Sequence, residues 1–431
     1  MTETTKRIRV EMLARVEGEG GLEVDIADGA VQSVRLSIFE PPRLFEAFLR
    51  GRAAAEAPDI AARICGICPV AYQMSAAHAI EAAYGVQPVP EVRALRRLLY
   101  CGEYIESHAL HMVMLHAPDF LGYEDGIAMA AAHGELVKRA LAAKKAGNAL
   151  MRVLAGREIH PINVRLGGFY RLPGRAELLA LQPDLARARD DSVAILRWAA
   201  AFEFPDIERD WELVALRHPT EYPLNEGRIA STGGIDIAAD AFETVFEERH
   251  IAHSNALHAV VRDRGAYLTG PLARYALNFD RLPAHIQALA REVGLGPVCR
   301  NPYRSILVRA IETVFVCEEA MRLIATYRPP QAAPPAVVPR AGTGAWATEA
   351  PRGLLWHRYE IDSDGTILSA RIVPPTAQNQ PAIEADLLDI ARRRIDAPDD
   401  VLQLACEAAV RNHDPCISCA THFLRLTVNR R

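Results

Sequence analysis

Four cysteines fall into two pairs of identical spacing, Cys65-Gly66-Ile67-Cys68 and Cys416-Ile417-Ser418-Cys419. A two-residue gap lets both sulfurs of a pair turn toward one point, so each pair can chelate a metal ion. Four thiolates together suit a soft or borderline metal. Two chemistries use such a set. One is a structural zinc site, but zinc ribbons place their pairs about 15–20 residues apart. Here most of a 431-residue chain lies between them. The other is a functional metal buried where the two chain ends meet. The remaining cysteines, Cys101, Cys299, Cys317 and Cys406, are isolated and lack the spacing of an iron–sulfur run. Cys317 shares a helical face with Val314, Met321 and Ile324, as a buried core thiol does.

With their neighbours the pairs read R-I-C-G-I-C, from Arg63 to Cys68, and D-P-C-I-S-C-A-T-H, from Asp414 to His422. These motifs resemble those of the large, catalytic subunit of nickel–iron hydrogenases, most of all the cytoplasmic nicotinamide-coupled type. The resemblance extends over nearly the whole chain. One departure is Tyr72, where many members carry histidine. The resemblance implies reversible cleavage of H2 into protons and electrons at a nickel–iron centre, with carbon monoxide and cyanide on the iron. It implies Cys65 and Cys416 as terminal nickel ligands, Cys68 and Cys419 as bridges, and Asp414 among the catalytic residues. Two groups are candidate bases for the proton released: the Cys416 sulfur, and Arg352 if it deprotonates. The very high pKa of arginine weighs against the second.

These ligands need elements to hold them. Residues 7–37 alternate in short apolar runs: Ile8, Val10 and Met12, then Leu22, Val24 and Ile26, then Val31, Val34 and Leu36. Glycines and Asp28 separate the runs, which predicts an antiparallel meander. Its turn, Arg15-Val16-Glu17-Gly18, matches the family's R-x-E-G, and the resemblance implies that Glu17 carries protons. Otherwise Glu17 is an acid in a solvated loop. Glu19 falls where many relatives have histidine. Pro41-Pro42-Arg43 opens a short helix. Its Glu46 could pair with Arg50; the resemblance implies that Glu46 and His422 hold magnesium or a similar ion such as Fe2+.

From about 69 to 201 the pattern is helical. Leu95, Leu98, Leu99, Gly102 and Ile105 form one stripe, and Leu136, Leu141, Leu150 and Val153 another. His108, His111 and His116 read as structural histidines. The resemblance places Asp119 near the active-site arginine. His160 either supports the site or is a hydrogen-bonded core histidine. Residues 202–300 are less periodic and show no chemistry, although Tyr267 to Arg274 looks family-like. A long helix is expected from Pro302 to Tyr327, then an extended Pro/Ala/Gly-rich connection over 328–348. A hairpin follows, with Leu354 to Tyr359 and Ile367 to Val373 as its strands. Arg352, in E-x-P-R-G, lies over the metals by resemblance. Thr376 stands where relatives hydrogen-bond a metal-bound diatomic, since Pro375 cannot donate. A helix from Ile383 to Arg394, and a second reaching Val410, lead into the last motif.

The expected fold class is α+β, mainly α. A large helical core over 63–327 lies between a small N-terminal antiparallel sheet, 1–62, and a C-terminal hairpin region, 328–422. The metal site lies between the chain ends. Half the residues are hydrophobic, and the net charge of −5 leaves no nucleic-acid footprint. No apolar run reaches a membrane span, and no leader is evident, which points to the cytoplasm. Without a cluster motif of its own, the chain is expected to pass electrons to an iron–sulfur small subunit. By resemblance, diaphorase-type NAD(P)/flavin subunits follow. By the same resemblance the tail, 423–431, is cut after His422 by a maturation endopeptidase. The alternatives are a hydrogen-sensing subunit and a zinc-stapled structural homologue.

Overall fold

The computed structural model describes residues 5–41, 44–331 and 335–422. Its N-terminal strands β1 (Thr5–Val10), β2 (Gly20–Ala27) and β3 (Ala30–Ile38) form an antiparallel sheet in that order. The register sets Ile8 opposite Val24 and Leu22 opposite Leu36, so the alternate apolar residues share one face. That face packs on Ile383, Leu387, Leu402 and Val410 near the other end of the chain. One apolar cluster therefore joins the two termini. Met12 does not continue the inward row. β1 ends at Val10, Met12 is 61% exposed, and Leu13 takes the buried place.

The expected helix start at Pro42 and Arg43 lies outside the described residues; α1 spans Phe45–Leu49. The helical bulk then begins with α2 (Pro69–Tyr84), α3 (Pro90–Leu110), α4 (Gly126–Ala155) and α5 (Gln182–Ala199). Nearly every residue of α2 is buried, as its all-round apolar sequence requires. On α4 the expected leucine stripe is wrong in part. Leu141 is 47% exposed, and Ala140, Ala143, Ala146 and Gly147 face inward instead. The cause is close packing. A Cβ on Gly147 would meet the Gly102 carbonyl oxygen at 2.6 Å, so α3 and α4 cross almost backbone to backbone.

The aperiodic region 202–300 contains small strand pairs, among them β4 (Phe246–Arg249) and β5 (His258–Val261), and the helix α6 (Pro271–Asn278). α7 (Ser305–Thr326) packs on α3 and α5. The expected C-terminal hairpin is a three-stranded sheet, β6 (Gly342–Ala350), β7 (Gly353–Ile361) and β8 (Ile367–Val373). The supposed connection supplies β6, whose Gly344 lies against the Ala79 carbonyl of α2; glycine content here reflects close approach rather than a loop. α8 (Pro375–Arg393) begins eight residues before the expected start and runs through Pro381. α9 (Asp399–Asn412) and α10 (Ile417–Ala420) complete the described chain. The tail 423–431 lies outside the described residues. Among the described residues no helix is long and apolar enough to cross a membrane.

Candidate metal centre

Cys65 and Cys68 sit just before α2, with Cys68 at its N-cap and Pro69 in the first turn. The amides of Ile67 and Cys68 donate to the Cys65 sulfur at 3.3 and 3.1 Å. The first amides of α2, on Val70 and Ala71, donate to Glu103, buried on α3, at 2.6 and 3.2 Å. Sequence reasoning missed this acceptor, since a glutamate inside a helix carries no signal of what it caps. Burial pushes the Glu103 carboxyl well up, against the two amide bonds. His160 holds the same approach: its Nδ1 bonds the Ala62 carbonyl oxygen at 2.8 Å.

The second pair arrives beside the N-terminal turn. Residues Glu17 and Cys416 form a parallel bridge, and the Ile417 amide donates to the Glu17 carbonyl at 2.9 Å. Gly18 is needed for this fit. Its φ is +89°, and a Cβ there would meet the Ser418 nitrogen at 2.7 Å. The Thr376 hydroxyl, in the first turn of α8, accepts from the Cys416 amide at 2.9 Å. It thus orients the ligand backbone.

The result is a cluster of four buried thiols with no disulfide among them. All four sulfurs lie within 4.8 Å of one another. Cys65 and Cys416 are 3.5 Å apart, Cys68 and Cys419 3.8 Å, and Cys416 and Cys419 2.8 Å. Burial pushes the Cys416 and Cys419 thiols up. Burial would raise Cys65 too, but hydrogen bonds from Cys416, Cys419 and Cys68 outweigh it and hold Cys65 well down. Such a set is costly as bare thiolates and is satisfied by a cation.

Three groups surround the sulfurs. Glu17 Oε2 accepts from the Cys416 thiol and from the Ser418 amide, both at 3.1 Å. Arg352, 2% exposed between β6 and β7, donates to the Asp414 carbonyl and carboxylate, each at 2.9 Å. Its Nη1 is buried with no hydrogen-bond partner among the described residues, and so is Asp414 Oδ2. Burial alone would lower the Arg352 pKa, but Asp414 and the Cys416, Cys68 and Cys65 sulfurs hold it well above the usual value. Arg352 is thus a buried guanidinium anchored on Asp414. Tyr72 is fully buried, and its hydroxyl has no partner among the described residues. Burial, then the charges of Cys419 and Cys68, push its pKa well up, so it is a neutral phenol beside the sulfurs.

The backbone just before Arg352 is held by Arg274, the last residue of the family-like run, to which sequence reasoning gave no role. Arg274 of α6 donates to the carbonyls of Ala350 and Pro351, both at 2.8 Å, and to Glu312 and Glu349. His108 and Tyr222 also bond Glu312, at 2.9 and 2.6 Å. His111 and His116 bond the Arg411 carbonyl and the Asn412 side chain. The three histidines are thus hydrogen-bonded core groups, kept neutral by burial.

Asp119, which the resemblance places near the active-site arginine, bonds two other arginines. Its arginine partners are Arg411, at 2.8 Å through both oxygens, and Arg15. The acid on Arg352 is Asp414. Burial opposes its charge, but Arg411 and Arg15 outweigh that and keep the Asp119 carboxylate below its usual pKa. Asp119 therefore ties the turn bearing Glu17 to α9. Glu46 does not take Arg50 as its hydrogen-bonding partner. Its Oε2 is 3.1 Å from His422 Nε2, and its Oε1 accepts from the Ile372 amide at 2.8 Å. Both line a cavity that Cys419, Ile372 and Glu248 also border.

A mainly helical chain whose two ends deliver four buried thiols to one point, with a carboxylate on one sulfur, defines a thiolate-ligated metalloenzyme. Residues 43–156 match the family model described as nickel-dependent hydrogenase. Sulfhydrogenase 1 subunit alpha of Pyrococcus furiosus is 32% identical over 423 residues, covering 97% of this chain and 98% of that protein. NAD-reducing hydrogenase HoxS subunit beta of Cupriavidus necator is 26% identical, covering 97% and 95%. The crystal structure of an NAD+-reducing [NiFe]-hydrogenase in the H2-reduced state superposes with a TM-score of 0.88 at 27% identity, covering 98% of this chain and 100% of that one. The chain belongs to the nickel-dependent hydrogenase family. It is the catalytic large subunit of an oxidoreductase acting on H2, and its four paired cysteines are the site of a nickel–iron centre.

Proposed function

We propose that Glu17 carries the proton released by H2 cleavage away from the Cys416 sulfur. The observation that supports this is the 3.1 Å contact between Glu17 Oε2 and that thiol. Cys65, Cys68, Cys416 and Cys419 would hold the metals, with Cys65 and Cys416 as terminal ligands and Cys68 and Cys419 as bridges. When bound, the centre, with carbon monoxide and cyanide on its iron, supplies an electron-accepting Lewis acid for splitting H2. Arg352, fixed by Asp414, presents its remaining N–H groups as a cation over the site and excludes water. Thr376 sets the direction of the Cys416 backbone, and Asp119 sets the turn carrying Glu17. Glu46 and His422 hold a magnesium or ferrous ion beside Cys419.

Electrons leave to an iron–sulfur small subunit and then, through diaphorase-type subunits, to NAD(P). The relatives named as alpha or beta subunits of hydrogenases, one of them NAD-reducing, support this reading. A maturation endopeptidase cuts after His422, and the enzyme works in the cytoplasm. The test is elemental analysis of purified protein paired with H2-dependent reduction of NAD+ or NADP+ by the complex. Nickel and iron with H2 uptake are expected. Zinc alone, with no uptake, would refute the reading, and the active chain's intact mass tests cleavage separately.

A further inference from the structure

The segment between β4 and β5 carries His253, and His258 opens β5. His253 Nε2 is 2.6 Å from Glu384 Oε1 on α8. Ligand atoms of His253, His258 and Glu384 all lie within 4.8 Å of one another. None of the three belongs to the thiol centre. The His253–Glu384 contact alone is an ordinary ion pair. His258 is what that pair leaves unexplained. It is 5% exposed, and its Nε2 has no hydrogen-bond partner among the described residues. A buried imidazole nitrogen with nothing to bond is a cost that a metal ion would remove. Burial, against the pull of Glu384, also keeps His258 in the neutral form that ligates.

We propose that His253, His258 and Glu384 bind a divalent first-row ion, zinc or ferrous iron, with water completing its coordination. Two imidazoles and one carboxylate suit such borderline ions, whereas magnesium and calcium prefer oxygen throughout. Water has access, because the side chains of His253 and Glu384 are 25% and 19% exposed. The ion would staple the 253–258 segment to α8. Glu384 also accepts from the Leu36 amide at 2.9 Å, which extends the staple to β3. The same segment seats the end of the described chain. The Asn255 amide donates to the Ile38 carbonyl at 2.7 Å, and the Asn255 carbonyl accepts from the His422 amide at 2.9 Å. Occupancy of the staple thus holds His422 in place from a second, separate site.

The test uses nickel-loaded enzyme, treated with a chelator and titrated with Zn2+ and, under anaerobic conditions, Fe2+. One equivalent per chain should bind beyond the nickel–iron centre and raise the melting temperature. His258→Ala removes a ligand and Glu384→Gln replaces a carboxylate with a weakly ligating neutral amide, so each should weaken that binding at least about 100-fold. Nickel content should not change. Glu384→Gln keeps an oxygen for the Leu36 amide, so it remains informative if His258→Ala folds poorly. Equal binding in parent and both variants, or no binding in the parent, would overturn the proposal. The readout is stoichiometry at residues outside the thiol cluster, so its failure leaves the hydrogenase reading untouched.

Discussion

Arg274→Met removes a side chain that, with Tyr104, holds the backbone just before Arg352. Arg274 is fully buried and uses every guanidinium N–H. It grips Glu312 through two bonds, at 2.8 and 3.0 Å, and Glu349 through one at 3.0 Å. It also takes the carbonyls of Ala350 and Pro351. Methionine fills the space of the aliphatic stem but removes the cationic partner of two buried carboxyls, leaving Glu312 only His108 and Tyr222 and Glu349 the Leu216 amide. Breaking a buried ion pair from one side costs about 3–5 kcal/mol. At roughly 2 cal/mol/K of unfolding entropy per residue, a 431-residue chain should melt about 3–6 °C lower. Activity should fall further than stability explains, because the residues preceding Arg352 lose an anchor. Arg274→Lys should be intermediate, since an ammonium offers three donors without the planar fork. Differential scanning calorimetry and an H2-uptake assay on metal-loaded protein read both effects. A variant melting within 1 °C of the parent, with full activity, would refute the view that this network positions Arg352.

Glu17→Gln should retain the fold and the metals, because an amide oxygen still accepts from the Ser418 amide, but H2/solvent deuterium exchange should drop about 10²–10⁴-fold. Cys68→Ser and Cys419→Ser should each lose nickel and iron by elemental analysis, a hydroxyl being a poor soft-metal ligand. The two acids on Arg274 predict opposite pH dependence. Glu312 is held down to about 2 despite burial, chiefly by Arg274 and the His108 hydrogen bond, so its stabilisation is full above the usual carboxyl range and is lost as pH falls toward 2. Burial raises Glu349 to about 7, so its stabilisation is full below the usual range and is lost as pH rises through 7. Melting curves from pH 4 to 8 should show the second loss in the parent and not in Glu349→Gln.

Much of the site was legible because its chemistry is local in sequence. The cysteine pairs announce themselves through short spacing, whereas Glu17 in R-x-E-G and Arg352 in E-x-P-R-G stand out only through the family resemblance. What escaped depends on contacts far apart in the chain. Asp119 takes Arg411 from nearly 300 positions away, so a local reading could not tell which arginine it faces. Arg274 and Glu349 end and begin runs that look family-like, but nothing in either run says that they meet each other or Glu312, which lies on a third element. His253, His258 and Glu384 are divided between an aperiodic loop and a helix. In the fold, apolar alternation marked β1 to β3 correctly because one face of that sheet is buried. The same logic failed on α4, where close backbone approach replaced leucine with alanine and glycine on the inward face. It failed at β6 too, where glycine and alanine form a strand against α2.

Cys65 and Cys416, whose sulfurs lie side by side, are 351 positions apart along the chain. A ribosome adding about 5–20 residues per second would need roughly 20–70 s to span that interval. Throughout that time the first pair is a half-chelate on a chain whose other two sulfurs have yet to be made. The β1 to β3 sheet waits as well, since the α8 and α9 surface that covers its apolar face emerges just before Cys416. Closure of the core and completion of the ligand set are therefore nearly simultaneous, late events. A polypeptide that stops early can neither bury its first sheet nor assemble the tetrathiol site.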